Sequence, residues 1–204
     1  MDNTVGSLST SFCNFPNTLE DYYILGLWCA DGYHRTSSVG LTNVDRDLIA
    51  TFRNFFEKLF LKERIKLDIY KEGKRKQWGY KLYVNSRPLL RIFKSFKENN
   101  SRDLNNSESI GAYFAGRFDG DGCISKNLKE DCRISYGNFM DAKLDYDMLL
   151  KTGLINSKLY WYRTSHTHVI YISTKDVEKF RDLIGTYSKK LQKLVLSPVE
   201  TLTI

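Results

Sequence analysis

The sequence is poor in the residues that most small-molecule and covalent chemistry needs. Its four cysteines, Cys13, Cys29, Cys123 and Cys132, show no CxxC spacing, which argues against a zinc site; read as free thiols in apolar surroundings, they indicate a reducing, intracellular setting. Histidine occurs three times. The Ser-rich, Cys-containing tail offers no Ser/His/Asp or Cys/His catalytic order, and neither GxGxxG nor GxxxxGK[ST] occurs, so covalent catalysis and nucleotide hydrolysis are not expected. No apolar run approaches a membrane span, and no membrane partner is expected. Residues 1–17 are polar, contain Asp2 and lack Lys and Arg, unlike a secretory or transit peptide, and read as an N-terminal tail.

What the chain has is positive charge and aromatic rings. Lys and Arg number 31 against 24 Asp and Glu, for a net charge of +7, which favours a polyanionic partner. At 204 residues it can bury a substantial core as one large domain or two small ones.

The stretch GAYFAGRFDGDGCIS, residues 111–125, ends an apolar, helix-like run with Asp119 and Asp121. A helix C-terminus carries partial negative charge, so a carboxylate there loses several tenths of a kcal/mol, up to roughly 1. Something else must hold the acid in place. Residues 21–35, DYYILGLWCADGYHR, repeat the shape, and ILGLWCADG (24–32) aligns without gaps on FAGRFDGDG (114–122). The terminal acids Asp31 and Asp121 are 90 positions apart, a period too long for a solenoid and suited to a duplicated subdomain.

The segments after each motif agree with a duplication. YHRT and SVGLTN read as short strands; residues 45–60 repeat apolar positions with helical spacing; RIKLDIY and GYKLYVN alternate around a basic turn; a further helix starts near Pro88. The second half gives CIS, CRISYGN, a helix near 141–152, KLYWYR, HVIYIS and a helix over 174–184. The expected organisation is a tail at 1–17, a first repeat at 18–96, a linker at 97–109 and a second repeat with a C-terminal tail at 110–204, each repeat reading αββαββα.

Both motif helices carry a stripe of small residues, Gly26 and Ala30 in one and Ala112, Gly116 and Gly120 in the other. Packed along these stripes, they place Asp31 and Asp121 side by side, with Gly32 and Gly122 expected in the left-handed conformation that ends helices. A single Asp-Gly is usually a turn; two at matched positions point to a paired function. Asp119 has Cys29 as its counterpart and ranks as secondary. His166 and His168 read as alternating on a strand; lacking a third ligand, they fit a surface or nucleic-acid contact better than a metal site.

A β-ribbon fits the major groove of DNA, where strand side chains read base edges and cations hold phosphates. The candidates in the first half are Arg35, Lys66, Tyr70, Lys74, Arg75, Lys76, Trp78, Tyr80 and Lys81. In the second they are Lys126, Lys129, Arg133, Lys158, Tyr160, Tyr162, Arg163, His166 and His168.

With both nonapeptides, their spacing and the basic strands in view, the chain resembles the single-chain, two-repeat LAGLIDADG homing endonucleases over residues 18–200. Trp28 and Arg117 depart from the motif pattern, as does Cys29 at its less constrained sixth position. The resemblance implies an α+β fold of two pseudo-symmetric αββαββα halves whose antiparallel sheets form a DNA-binding saddle. It also implies that Asp31 and Asp121 bind a divalent metal, Mg2+ with Mn2+ or Ca2+ as substitutes. Asn43 and Asn138 resemble the polar residues that organise catalytic water, and Lys189, with Lys190 as the alternative, resembles the basic residue after the last core helix. The first-half basic counterpart is left between Lys97 and Arg102. The implied activity is double-strand cleavage of a long, non-palindromic DNA with short 3′ overhangs by a monomer. The alternatives are an intron maturase that binds RNA and a DNA-binding regulator that does not cut.

Overall fold

The computed structural model describes residues 15–72, 77–98, 104, 106–124 and 131–196. The first motif lies on α1 (Leu19–Asp31), which begins in a capping box: the Thr18 hydroxyl accepts from the Asp21 N–H at 3.2 Å, and the Asp21 carboxylate accepts from the Thr18 N–H at 3.0 Å. Its second-repeat equivalent α4 (Ser107–Asp121) begins at Asn106, whose side chain accepts from the Ser109 N–H at 2.7 Å. Both helices are buried on every side, from Tyr23 to Cys29 and from Gly111 to Asp119. An apolar sequence without a polar face belongs in an interior.

After α1 come β1 (Gly32–Arg35), β2 (Ser38–Asn43), α2 (Arg46–Leu59), β3 (Lys66–Glu72), β4 (Gln77–Asn85) and α3 (Arg87–Glu98). The second half repeats the order with α4, β5 (Gly122–Ile124), β6 (Cys132–Tyr136), α5 (Phe139–Lys151), β7 (Lys158–Tyr162), β8 (Thr167–Ile172) and α6 (Val177–Ile184). Each half is αββαββα, with its strands in one antiparallel four-stranded sheet, ordered β1-β2-β4-β3 and β5-β6-β8-β7. A last helix, α7 (Lys189–Leu196), has no counterpart in the expected pattern. Among the described residues no helix is long and apolar enough to cross a membrane.

Alternation fixes which sheet face is covered. Val39, Leu41, Leu82 and Val84 in the first sheet and Ile134, Ile170 and Ile172 in the second are all fully buried under helices. Phe52, Phe55, Phe56 and Phe93 form an aromatic cluster beneath the first sheet. Phe15 stacks on Phe93 at 5.6 Å.

The small stripes do bring the motif helices together. A methyl group added at Gly26 would lie 1.9 Å from the Tyr113 carbonyl oxygen, and one at Gly116 would lie 2.0 Å from the Tyr23 carbonyl oxygen. The two contacts are reciprocal across a pseudo-twofold axis, since Tyr23 and Tyr113 hold the same motif position. Gly32 and Gly122 depart from expectation. Both are extended, at φ −61° and −87°, because each helix runs straight into the first strand of its sheet. Glycine is needed there for space: a methyl at Gly32 would lie 2.2 Å from the Trp28 carbonyl oxygen, and one at Gly122 would lie 2.2 Å from the Phe118 ring.

Candidate active site and nucleic-acid interface

The helix seam ends in the two acids. The position of a methyl group built on Gly120 lies 2.4 Å from the Ala30 side chain and 2.9 Å from Asp31 Oδ2, so the Asp31 carboxylate sits over the last turn of α4, beside Asp121. Burial pushes Asp31 up to about 6, and the charge of Asp121 pushes the same way, against the Asn43 hydrogen bond, Arg117 and Lys190. Burial likewise raises Asp121, opposed by Arg117, Lys190 and Lys97. Two carboxylates held together above their ordinary range form a centre short of positive charge.

Asn43 supports this centre directly. Its amide donates to Asp31 Oδ2 at 2.7 Å, while its carbonyl oxygen accepts from the Asp45 N–H at 2.7 Å. Asn138 does not play the matching part. Gly32 pairs with Leu41 and Gly122 with Ile134, so the residue equivalent to Asn43 is Tyr136, and Asn138 corresponds to Asp45. Like Asp45, it caps a helix: its side chain accepts from the N–H groups of Met140 and Asp141 at the start of α5. The sequence offers two asparagines after two strands; the ladder register separates them.

The second half instead holds a buried polar cluster that the sequence does not announce. The Arg117 guanidinium, 3% exposed, lies 3.3 Å from Asp145 and 3.9 Å from Asp121, over the Tyr136 ring. Asp145 is fully buried and accepts from the Tyr113 and Tyr136 hydroxyls. Arg117 stands out as a departure from the motif; its partner, 28 residues on, carries no signal.

Lys190, rather than Lys189, reaches the acids' end of α4. Lys189 is exposed. The Lys190 ammonium donates to the carbonyl oxygens of Phe118 at 2.9 Å and Gly122 at 2.5 Å, and burial lowers its pKa. Asp119, ranked secondary, is 2% exposed and anchors the start of α7. Lys97, the first-half candidate, lies 3.8 Å from Asp141, and Arg102 lies outside the described residues.

Comparison with known proteins gives the same picture. A family model described as a LAGLIDADG-like domain matches residues 18–97. I-DmoI in complex with DNA and Ca superposes with a TM-score of 0.66 at 22% identity, over 88% of this chain and 98% of that one. I-WcaI bound to its DNA recognition sequence superposes with a TM-score of 0.65 at 15% identity, over 97% and 96% of the two chains. This is the LAGLIDADG homing-endonuclease fold in its two-repeat form. The chain also aligns with the replication factor C small subunit of Methanocaldococcus jannaschii at 26% identity over 189 residues, 84% of this chain, and spans a tenth of that protein's length.

Each half presents one open sheet face. In the first sheet, register places Tyr33, Arg35, Thr42, Lys66, Asp68, Tyr70, Gln77, Lys81 and Tyr83 on it. Lys81 pairs with Asp68 at 2.8 Å and lies over the Tyr33 and Tyr83 rings. In the second, the open face carries Arg133, Ser135, Lys158, Tyr160, Tyr162, Thr167 and Tyr171. There Arg133 lies over the Tyr171 ring and makes a double contact with Asp131 at 3.1 Å.

Three expected contacts turn the other way. Tyr80 is buried on the covered face, where its hydroxyl accepts from Arg46 at 2.5 Å. Trp78 points to the same side but is 49% exposed, with the Lys71 ammonium over its ring. His168 lies on the covered face of the second sheet, in tilted contact with the Trp161 and Phe139 rings at 4.4 and 5.3 Å. His166, at φ 50°, is in the turn after β7 rather than on a strand. A list of basic and aromatic strand residues ignores the two-residue alternation that sorts them. Arg163 is exposed in the same turn, while Lys74, Arg75, Lys76, Lys126 and Lys129 lie outside the described residues.

Proposed function

We propose that this chain is a divalent-cation-dependent, sequence-specific DNA endonuclease that cuts both strands of a long, non-palindromic duplex and leaves short 3′ overhangs. The observation that carries the reading is the meeting of Asp31 and Asp121 at the seam between two sheets whose open faces are basic and aromatic. The superposed I-DmoI and I-WcaI structures are both DNA complexes, and I-DmoI complexes contain Ca or Mn.

The donor set suits a hard cation. Among the described residues no three His, Cys, Asp or Glu come together as a metal cage, and the centre offers two carboxylates, leaving the other positions to water and phosphate oxygen as Mg2+ prefers. A bound Mg2+ would neutralise the attacked phosphate and activate the hydrolytic water. Asp31 and Asp121 would hold the cation. Asn43 fixes the Asp31 carboxylate in one orientation through its amide. The Lys190 ammonium has two of its three protons committed to carbonyls, leaving one to face the negative charge that develops on phosphate oxygens. Lys81, Arg133 and the open-face tyrosines would meet bases and phosphates. Because one chain carries both acids, a monomer suffices.

Selection of cleaved sites from a random DNA library with Mg2+ tests the reading. Recovery of one asymmetric consensus, lost with Asp31→Asn and Asp121→Asn, is the expected result; no enrichment over those variants rejects it.

A further inference from the structure

Asp119 is a buried acid, 2% exposed, that the proposed chemistry does not use, and its contacts join α4 to α1 and α7. Its carboxylate accepts from the Tyr23 hydroxyl on α1 at 2.7 Å, the Ser188 hydroxyl at 2.6 Å, and the N–H groups of Lys189 and Lys190 at 2.7 and 3.1 Å. The last two belong to the first turn of α7, where unpaired N–H groups and the positive end of the helix favour an anion. Ser188 is fully buried and also accepts from the Leu191 N–H at 3.2 Å.

The residue held by its backbone at Asp119 is the one whose side chain reaches the site. Lys190 gives its N–H to Asp119 and its ammonium to the carbonyls of Phe118 and Gly122, which flank Asp121 in sequence. The lever is one side chain long. In the first repeat Cys29 stands at the equivalent position and offers no carboxylate.

We propose that Asp119 is a positioning residue: by fixing the first turn of α7 it sets the Lys190 ammonium against the acid pair, so that docking of this last helix completes the cleavage centre. The cleavage part rests on the endonuclease reading; the placement of Lys190 does not.

The test uses the full chain with Asp119→Asn, Lys190→Met and the double variant. Three quantities are read: cleavage of the selected duplex, duplex affinity in Ca2+, and the rate of Lys190 acylation by an amine-reactive ester, followed by mass spectrometry. In Asp119→Asn the side-chain amide retains one acceptor oxygen but cannot hold the same set of donors, so Lys190 should be acylated about 5–10-fold faster, by loss of the protection two hydrogen bonds give it. Cleavage at saturating DNA should fall about 10–100-fold with affinity within about threefold, the range expected when a supporting partner is lost. The double variant should cut no more slowly than Lys190→Met alone.

Unchanged acylation, or a double variant slower than Lys190→Met by the full Asp119→Asn factor, overturns the proposal. If the wild-type chain cuts no duplex, the endonuclease reading falls while the acylation comparison still decides the latch. Should Asp119→Asn not fold, Ser188→Ala removes one of the same bonds and carries the same comparison.

Discussion

The Asn43 amide donates to the Asp31 carboxylate, whereas Tyr136, its register equivalent in the second half, donates to Asp145. The two acids therefore have unequal support: a neutral amide on one side and the Arg117 guanidinium at 3.9 Å on the other. Replacing Asn43 with Ala should slow cutting of one strand about 10–100-fold, with little change on the other. Strand-specific labels on one duplex read this directly, and equal slowing of both strands would count against support of a single centre.

The acids also set a pH dependence. Asp31 is raised from 3.8 to about 6 and Asp121 is raised as well, so protonation favours the folded state. Their ionised forms cost stability above pH 6, and that cost is relieved as pH falls from about 6 towards the ordinary carboxylate range. At pH 8 without metal, Asp31→Asn should raise the melting temperature by several degrees, from about 1–3 kcal/mol. Cleavage should vanish and DNA affinity remain. Calorimetry that finds the variant less stable at pH 8 than the wild type would contradict the raised acid.

Backbone contact at the helix seam leaves no room for a side chain. Gly26→Ala or Gly116→Ala should cost about 1–3 kcal/mol or more through overpacking and separate the acids, so cleavage falls further than DNA binding. Gly137, with nothing within 4 Å of an added methyl, should accept Ala with a change below about 0.5 kcal/mol. Denaturant titration of the three variants gives the comparison.

On the open sheet face, Lys81→Ala and Tyr83→Ala should change base preference at a few positions of the selected target, whereas Trp78→Ala on the opposite face should not. With about 8–10 phosphates contacted, log affinity should fall against log salt with a slope near −7 to −9. Base-substitution profiles and salt titrations measure both, and an altered profile for Trp78→Ala alone would reverse the face assignment.

The repeat, the order of elements and the pairing of Asp31 with Asp121 are legible in the sequence because each rests on local pattern: apolar period, small-residue spacing, a turn dipeptide seen twice. The capping role of Asn138 is not, because equivalence between halves is set by ladder register, and the connections between the first two strands of each half differ in length by a few residues. Tyr80 and His168 pass for groove contacts because composition does not say which face a strand turns to the helices. Asp145 and the cap formed by Asp119 are hidden for another reason: their partners are 28 and 69–71 positions distant along the chain, where sequence spacing carries no information.

The placement of Lys190 on α7 also makes the protein divisible. A protease cut or a premature stop codon just before Ser188 would remove the last helix and leave both sheets, the basic faces and the glycine seam in the remaining chain. If the proposed function holds, such a product would keep its DNA-binding faces but lack the Lys190 ammonium. On the endonuclease reading, it would sit on the duplex as an occupant, shielding that sequence from full-length copies.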